Sequence, residues 1–144
     1  MFKKSQAAYE LHNGIEQLLT EQEVAYDVDK DGDIALQQGS TRVFLRAMDL
    51  TEEHTLVKIF APVSIEIARF NADVGQALLE ANANLVFGKF SLDTENRVIW
   101  FEHMLLGKHL DAETLLIGIG MIAATADDYD EAVSNMAGGK RFFE

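Results

Sequence analysis

Apolar residues recur along this chain with two different periods, and the changes of period mark its elements. Ala8, Leu11, Ile15, Leu18 and Leu19 fall three or four positions apart, which predicts an amphipathic helix over residues 5–23. Period-two segments follow. Val24, Tyr26 and Val28 alternate with Ala25 and Asp27, a turn occupies residues 29–32, and Ile34 and Leu36 alternate next. Gly39-Ser40 punctuates before a strand over 42–48, and a further strand over 55–61 should end at Pro62, the one proline.

Asn71 is placed to cap a second helix over 71–82, with Phe70, Val74, Leu78 and Ala81 on one face. Residues 85–92 and 97–103 read as a hairpin joined by Asp93-Thr94-Glu95-Asn96. The last helix has the strongest pattern. Asp111 supplies its N-cap, Leu110 and Leu115 suit a hydrophobic staple, and apolar spacings of three and four run from Ala112 to Met136. Gly138-Gly139 suits a left-handed cap. This order predicts an α+β domain, three helices packed with an antiparallel sheet.

Composition narrows the class. The 144 residues are 48% hydrophobic and 25% charged, enough to fill one core, and no linker or repeat divides residues 1–144. Twelve basic against 24 acidic residues leave a net charge of −12, which repels phosphate backbones and anionic lipid and favours basic partners. No direct nucleic-acid or membrane contact is therefore expected. The absence of cysteine removes disulfides, thiol nucleophiles and thiolate zinc sites. Lys3 and Lys4 are followed by Ser5, Gln6 and Glu10 rather than an apolar stretch, and the apolar run over 115–124 is too short for a bilayer. A cytoplasmic location is the expectation.

Three motifs resemble chemistry. Asp27, Asp29, Asp31 and Gly32 match the opening of an EF-hand loop, but Gln38 stands where the closing glutamate is needed and a strand follows. An acidic hairpin turn is the preferred reading; a calcium-responsive protein using Asp27 to Asp33 is the alternative. Gly118, Gly120 and Ala123 match G-x-G-x-x-A, yet the helical period runs through both glycines and too little chain follows for a dinucleotide fold. Small residues there suit close approach by a sheet or a second helix. His12, His54, His103 and His109 show no metal-ligand spacing, and adjacent Glu102 and His103 should point to opposite sides of a strand. The acids at 127, 128, 130 and 131 read as a solvated face. No enzyme, cofactor or metal site is predicted.

The segment Arg97-Val98-Ile99-Trp100-Phe101 is apolar on both faces of its strand. One face can meet the helices; the other requires cover from a second copy, a partner, or a part of the chain such as Phe142 and Phe143. Gly88, between Phe87 and Phe90, suits a bulge or a close backbone approach in the same hairpin. Phe87, Phe90, Ile99, Trp100 and Phe101 are the candidate protein-interaction residues.

Beyond these patterns, the run Asn84-Leu85-Val86-Phe87-Gly88-Lys89-Phe90-Ser91-Leu92-Asp93 resembles YbjN-like proteins. So do Met104-Leu105-Leu106-Gly107, Leu110-Asp111-Ala112-Glu113 and the stretch over 122–130. The resemblance implies the type III secretion chaperone-like fold, ordered α-β-β-β-α-β-β-α, with an extra strand before the second helix suggested by the pattern here. It also implies an acidic, often homodimeric protein that binds other proteins, as a chaperone-like adaptor or regulator. It carries over no catalytic residue. The matched positions are hydrophobic and turn positions, which speak to fold more than to activity.

Overall fold

Ser5 begins the first helix because its hydroxyl accepts the Ala8 N–H at 3.0 Å, satisfying one of the unpaired donors of the first turn. The computed structural model describes residues 4–143; the N-terminal charge at Lys3 lies outside the described residues. The elements are α1 (Gln6–Glu21), β1 (Asp27–Val28), β2 (Ile34–Gln38), β3 (Thr41–Asp49) and β4 (Thr55–Ser64), then α2 (Ala72–Asn84), β5 (Lys89–Asp93), β6 (Val98–Leu106) and α3 (Ala112–Ala137). The extra strand is present. Asn71 and Asp111 cap α2 and α3 through the N–H groups of Val74 and Thr114, and Gly138 at φ 65° closes α3 in the left-handed region.

All strand pairs are antiparallel, in the order β1-β2-β3-β4-β6-β5. Alternation divides the sheet. Val43, Leu45, Val57, Ile59, Ile99 and Phe101 point to one side and are buried in the core with Ile15 and Leu19 of α1 and Leu115, Ile119 and Ile122 of α3. A Cβ added at Gly118 would lie 2.8 Å from Ile59 Cδ1 and 3.3 Å from Leu105 Cδ1, so the missing side chain lets α3 settle on the sheet. Gly118 of the G-x-G-x-x-A match is thus a packing position, whereas a Cβ at Gly120 would meet nothing within 4 Å. The helix α2 lies beside β5 instead, burying Val74 and Leu78.

Several boundaries differ from the sequence expectation. Strand β4 passes through Pro62 to Ser64: Pro62 pairs with Trp100, and the register slips between Pro62 and Ser64, where the ladder tolerates a missing N–H. Residues 85–88 are loop rather than strand, because Gly88 turns the backbone at φ 84° above the Phe101 ring. Only Asp27 and Val28 of the expected strand over 24–28 pair, with Ala35 and Ile34. Strand β6 continues past His103 to Leu106, held by pairing with Leu56. Of the acids of α3, Asp127, Asp128 and Glu131 are exposed, Asp127 while accepting from the Ser40 hydroxyl at 2.8 Å, and only Asp130 is half-buried, paired with Arg141 at 3.0 Å.

Beyond α3 the tail returns to the sheet. Lys140 exchanges backbone hydrogen bonds with Ile65, and Phe142 and Phe143 lie beside Arg42 and Pro62.

Candidate functional site

The face of the sheet turned away from α1 and α3 carries the other set of alternating residues. Strands β3, β4 and β6 contribute Phe44, Phe60 and Trp100, whose rings meet there. Phe44 and Phe60 stack at 5.5 Å, and Trp100 meets Phe60 edge-on at 5.4 Å and Phe44 at 6.2 Å, separations typical of favourable aromatic pairs. The cross-strand register causes this: Phe44 is opposite Phe60, and Trp100 is two pairs along on the same face, opposite Pro62.

Two cations lie over the cluster. The Arg46 guanidinium and the Lys58 ammonium are 5.2 Å and 4.9 Å from the Phe60 ring centre, cation–π geometry that also drapes their aliphatic stems on the ring. Each is matched by an acid. Asp33, buried just before β2, takes two 2.7 Å hydrogen bonds from Arg46, and this contact chiefly raises the Arg46 pKa. Glu102, buried on β6, pairs with Lys58 at 3.1 Å and more loosely with Lys89 at 3.8 Å.

Above this floor lies a groove of about 420 Å³. Asp29 and Asp31 stand on one side, from the turn between β1 and β2; Asp93, the last residue of β5, and Asn96, in the turn to β6, stand on the other. Both turns are held by their own backbone. Asp29 accepts the Asp31 and Asp33 N–H groups at 2.9 and 3.0 Å, and Gly32 supplies φ 85°. Asp93 accepts from the Asn96 backbone and side chain, which lowers its pKa. Past the aromatic cluster the same face continues with Met48, Leu56, Met104 and Leu106, of which Met104 and Leu106 are exposed.

The structure separates the five candidate residues. Trp100 lies on the open face. Ile99 and Phe101 point to the helices and are fully buried, and Phe90 is buried against Phe101 and Tyr129. Phe87 is half-buried in the loop before β5, stacked on His103 at 3.8 Å. Desolvation lowers the His103 pKa. Glu102 and His103 do point apart, one to the open face and one to the helices. The tail residues Phe142 and Phe143 reach Pro62 at one end of the sheet and remain exposed.

Sequence reasoning missed Phe44, Phe60, Arg46 and Lys58, and it read Asp33 as part of the acidic turn rather than as the partner of Arg46. A weak signal existed: β3 and β4 each carry an apolar ring on the face that also carries a cation. The EF-hand resemblance finds no cage. Asp33 is committed to Arg46, Gln38 lies in β2, and among the described residues no three His, Asp or Glu side chains converge on a common point.

Comparison with solved structures places the fold. A chain of the crystal structure of the Yersinia pestis type III secretion chaperone SycH, in complex with a stable fragment of YscM2, is similar at a TM-score of 0.58 and 14% identity. The match covers 82% of this chain and 98% of that one. A chain of the HopA1–SchA chaperone–effector complex is similar at a TM-score of 0.62 and 10% identity, covering 90% of this chain and 99% of that one. Identities this low establish a shared fold. No curated protein matches the sequence. The family model described as "T3SS (YopN, CesT) and YbjN peptide-binding chaperone 1" matches residues 9–144, so the chain belongs to the TY-Chap1 family.

Proposed function

We propose that this protein is a non-catalytic, peptide-binding chaperone-like module that holds a segment of a partner protein on its open sheet face. The observation that carries the reading is the aromatic floor of Phe44, Phe60 and Trp100 on a sheet face turned away from α1 and α3, in a chain of a peptide-binding chaperone family. An apolar surface of this kind gains free energy when a partner removes it from water. The solved relatives support the reading, since both are described in complex with partner proteins. Of the sequence candidates, Trp100 would touch the partner; Phe90, Ile99 and Phe101 would hold the strands beneath, and Phe87 would lie at the margin.

The finer parts of the reading are a cytoplasmic location, a regulatory or adaptor role, and a homodimer. The dimer has a physical rationale: two chains of charge −12 repel, so a self-interface should avoid charge. On α3, residues 114–126 contain no charged side chain, and Ile117 and Met121 are exposed there.

The test is hydrogen exchange on the protein alone and with a partner captured from its native lysate. Protection of β3, β4 and β6 amides by a stoichiometric partner is expected, with loss of capture by Trp100→Ala. Capture that survives Trp100→Ala and protects other elements would reject the open face as the site.

A further inference from the structure

We infer that the open-face groove selects a basic, apolar-containing extended segment of a partner protein, with Asp29, Asp31 and Asp93 as its cation-recognising rim. The inference rests on the peptide-binding reading above and gives it a substrate class. Four aspartates line the groove against two cations. In the floor Arg46 pairs with Asp33, and Glu102 is shared by Lys58 and Lys89, whereas among the described residues no ion pair involves Asp29, Asp31 or Asp93, of which Asp93 feels Lys58 only at a distance. The carboxylates outside ion pairs therefore lie at the two sides of the groove. Asp29 and Asp31 also act on Arg46 in the floor, so their field extends into the groove.

Between the acidic sides, the half-exposed rings of Phe44 and Trp100 offer apolar area and π-faces, which attract both hydrophobic side chains and the cations of lysine or arginine. A second copy of the chain is a poor occupant. It would bring another −12 charge against an acidic rim. The protein already seats one segment of the proposed chemistry on itself. Its tail, Lys140-Arg141-Phe142-Phe143, lies at the Pro62 end of the sheet, with Lys140 paired to Glu66 at 2.7 Å and Arg141 to Asp130 at 3.0 Å.

Trp100 is the single tryptophan, so its emission reports this groove and no other site. The test titrates the whole protein with a fluorescein-labelled peptide alternating lysine with leucine and phenylalanine, and with its counterpart bearing glutamate for lysine. Anisotropy reads binding anywhere; Trp100 emission reads occupancy of the groove. The lysine peptide should bind and shift Trp100 emission, and the glutamate peptide should do neither. Combining Asp29→Asn, Asp31→Asn and Asp93→Asn keeps the oxygen of residue 29 that holds the first turn and the oxygen of residue 93 that accepts the Asn96 N–H, loses only the second bond from the Asn96 side chain, and should weaken binding about tenfold or more, as loss of complementary rim charge does. Glu52→Gln, Glu53→Gln and Asp128→Asn together change the net charge equally but lie away from the groove, and should have little effect.

Equal binding of both peptides, equal weakening by the two triple variants, or binding with unchanged Trp100 emission overturns the inference and leaves peptide binding standing. Binding of neither peptide also overturns it, and the partner-protection experiment then decides the underlying reading separately. A Trp100 shift caused by protein concentration alone would assign the groove to a second copy, and one caused by calcium alone would assign it to a metal; either result overturns the inference.

Discussion

The side-chain amide of Asn82 occupies the outer edge of β5 at Phe90: its oxygen accepts the Phe90 N–H at 2.6 Å, and its nitrogen donates to the Phe90 carbonyl at 3.2 Å. A strand partner would make the same two bonds. Helix α2 thus stops a neighbouring chain from pairing at this point of an edge strand, which otherwise presents a template for aggregation. Asn82→Ala should cost about 1–3 kcal/mol, the range for leaving polar groups unsatisfied. It should also increase concentration-dependent self-association, read by urea denaturation and by sedimentation.

The Asp33–Arg46 pair is the most committed charge contact of the open face. Arg46→Met leaves a buried carboxylate without its bidentate partner and should destabilise by about 3–5 kcal/mol. Adding Asp33→Leu should recover much of that loss. A double-mutant cycle by chemical denaturation measures the coupling, and additive effects would show that the pair contributes little.

Two adjacent aromatic residues should separate binding from stability. Phe101→Ala empties a fully buried site and should cost about 3–5 kcal/mol. Trp100→Ala should cost less, since that ring is half-exposed, yet it should remove most partner binding. Denaturation midpoints and partner affinity, measured on the same two variants, check both claims.

Glycines 88 and 118 should respond differently to alanine. A Cβ at Gly88 would lie 2.6 Å from the Phe101 ring and would sit at φ 84°, so Gly88→Ala should destabilise by about 1–3 kcal/mol. At Gly118 the obstructing atom is the flexible end of Ile59, and alanine gains about 1 kcal/mol of helix propensity, so the net change should be small. Thermal denaturation of both variants tests the order.

His103 should make stability pH-dependent. Desolvation lowers its pKa in the fold, whereas the unfolded imidazole titrates near about 6.5. Between the lowered value and the unfolded one, the unfolded chain binds more proton, so stability falls as pH falls through that window. His103→Gln should flatten the urea-midpoint profile below pH ~6.5, where the unfolded histidine protonates. An unchanged profile would remove His103 as its source.

The local order of this fold is legible in the residues themselves. Ser5, Asn71, Asp111 and Gly138 end or begin helices where their capping chemistry requires, and the three- and four-residue spacings of α1 and α3 match their buried faces. The sequence alone determined three helices with an antiparallel sheet, a strong negative charge, and the apolar character of both faces of β6, because periodicity, capping and composition are short-range properties. Only the tertiary structure decided what that second face does. Phe44 meets Phe60 and Trp100, Arg46 finds Asp33, and Lys58 finds Glu102 because strand register carries residues from distant parts of the chain into contact. The same long-range pairing carried β4 past Pro62 and placed Ile99 and Phe101 in the core beside an open-facing Trp100.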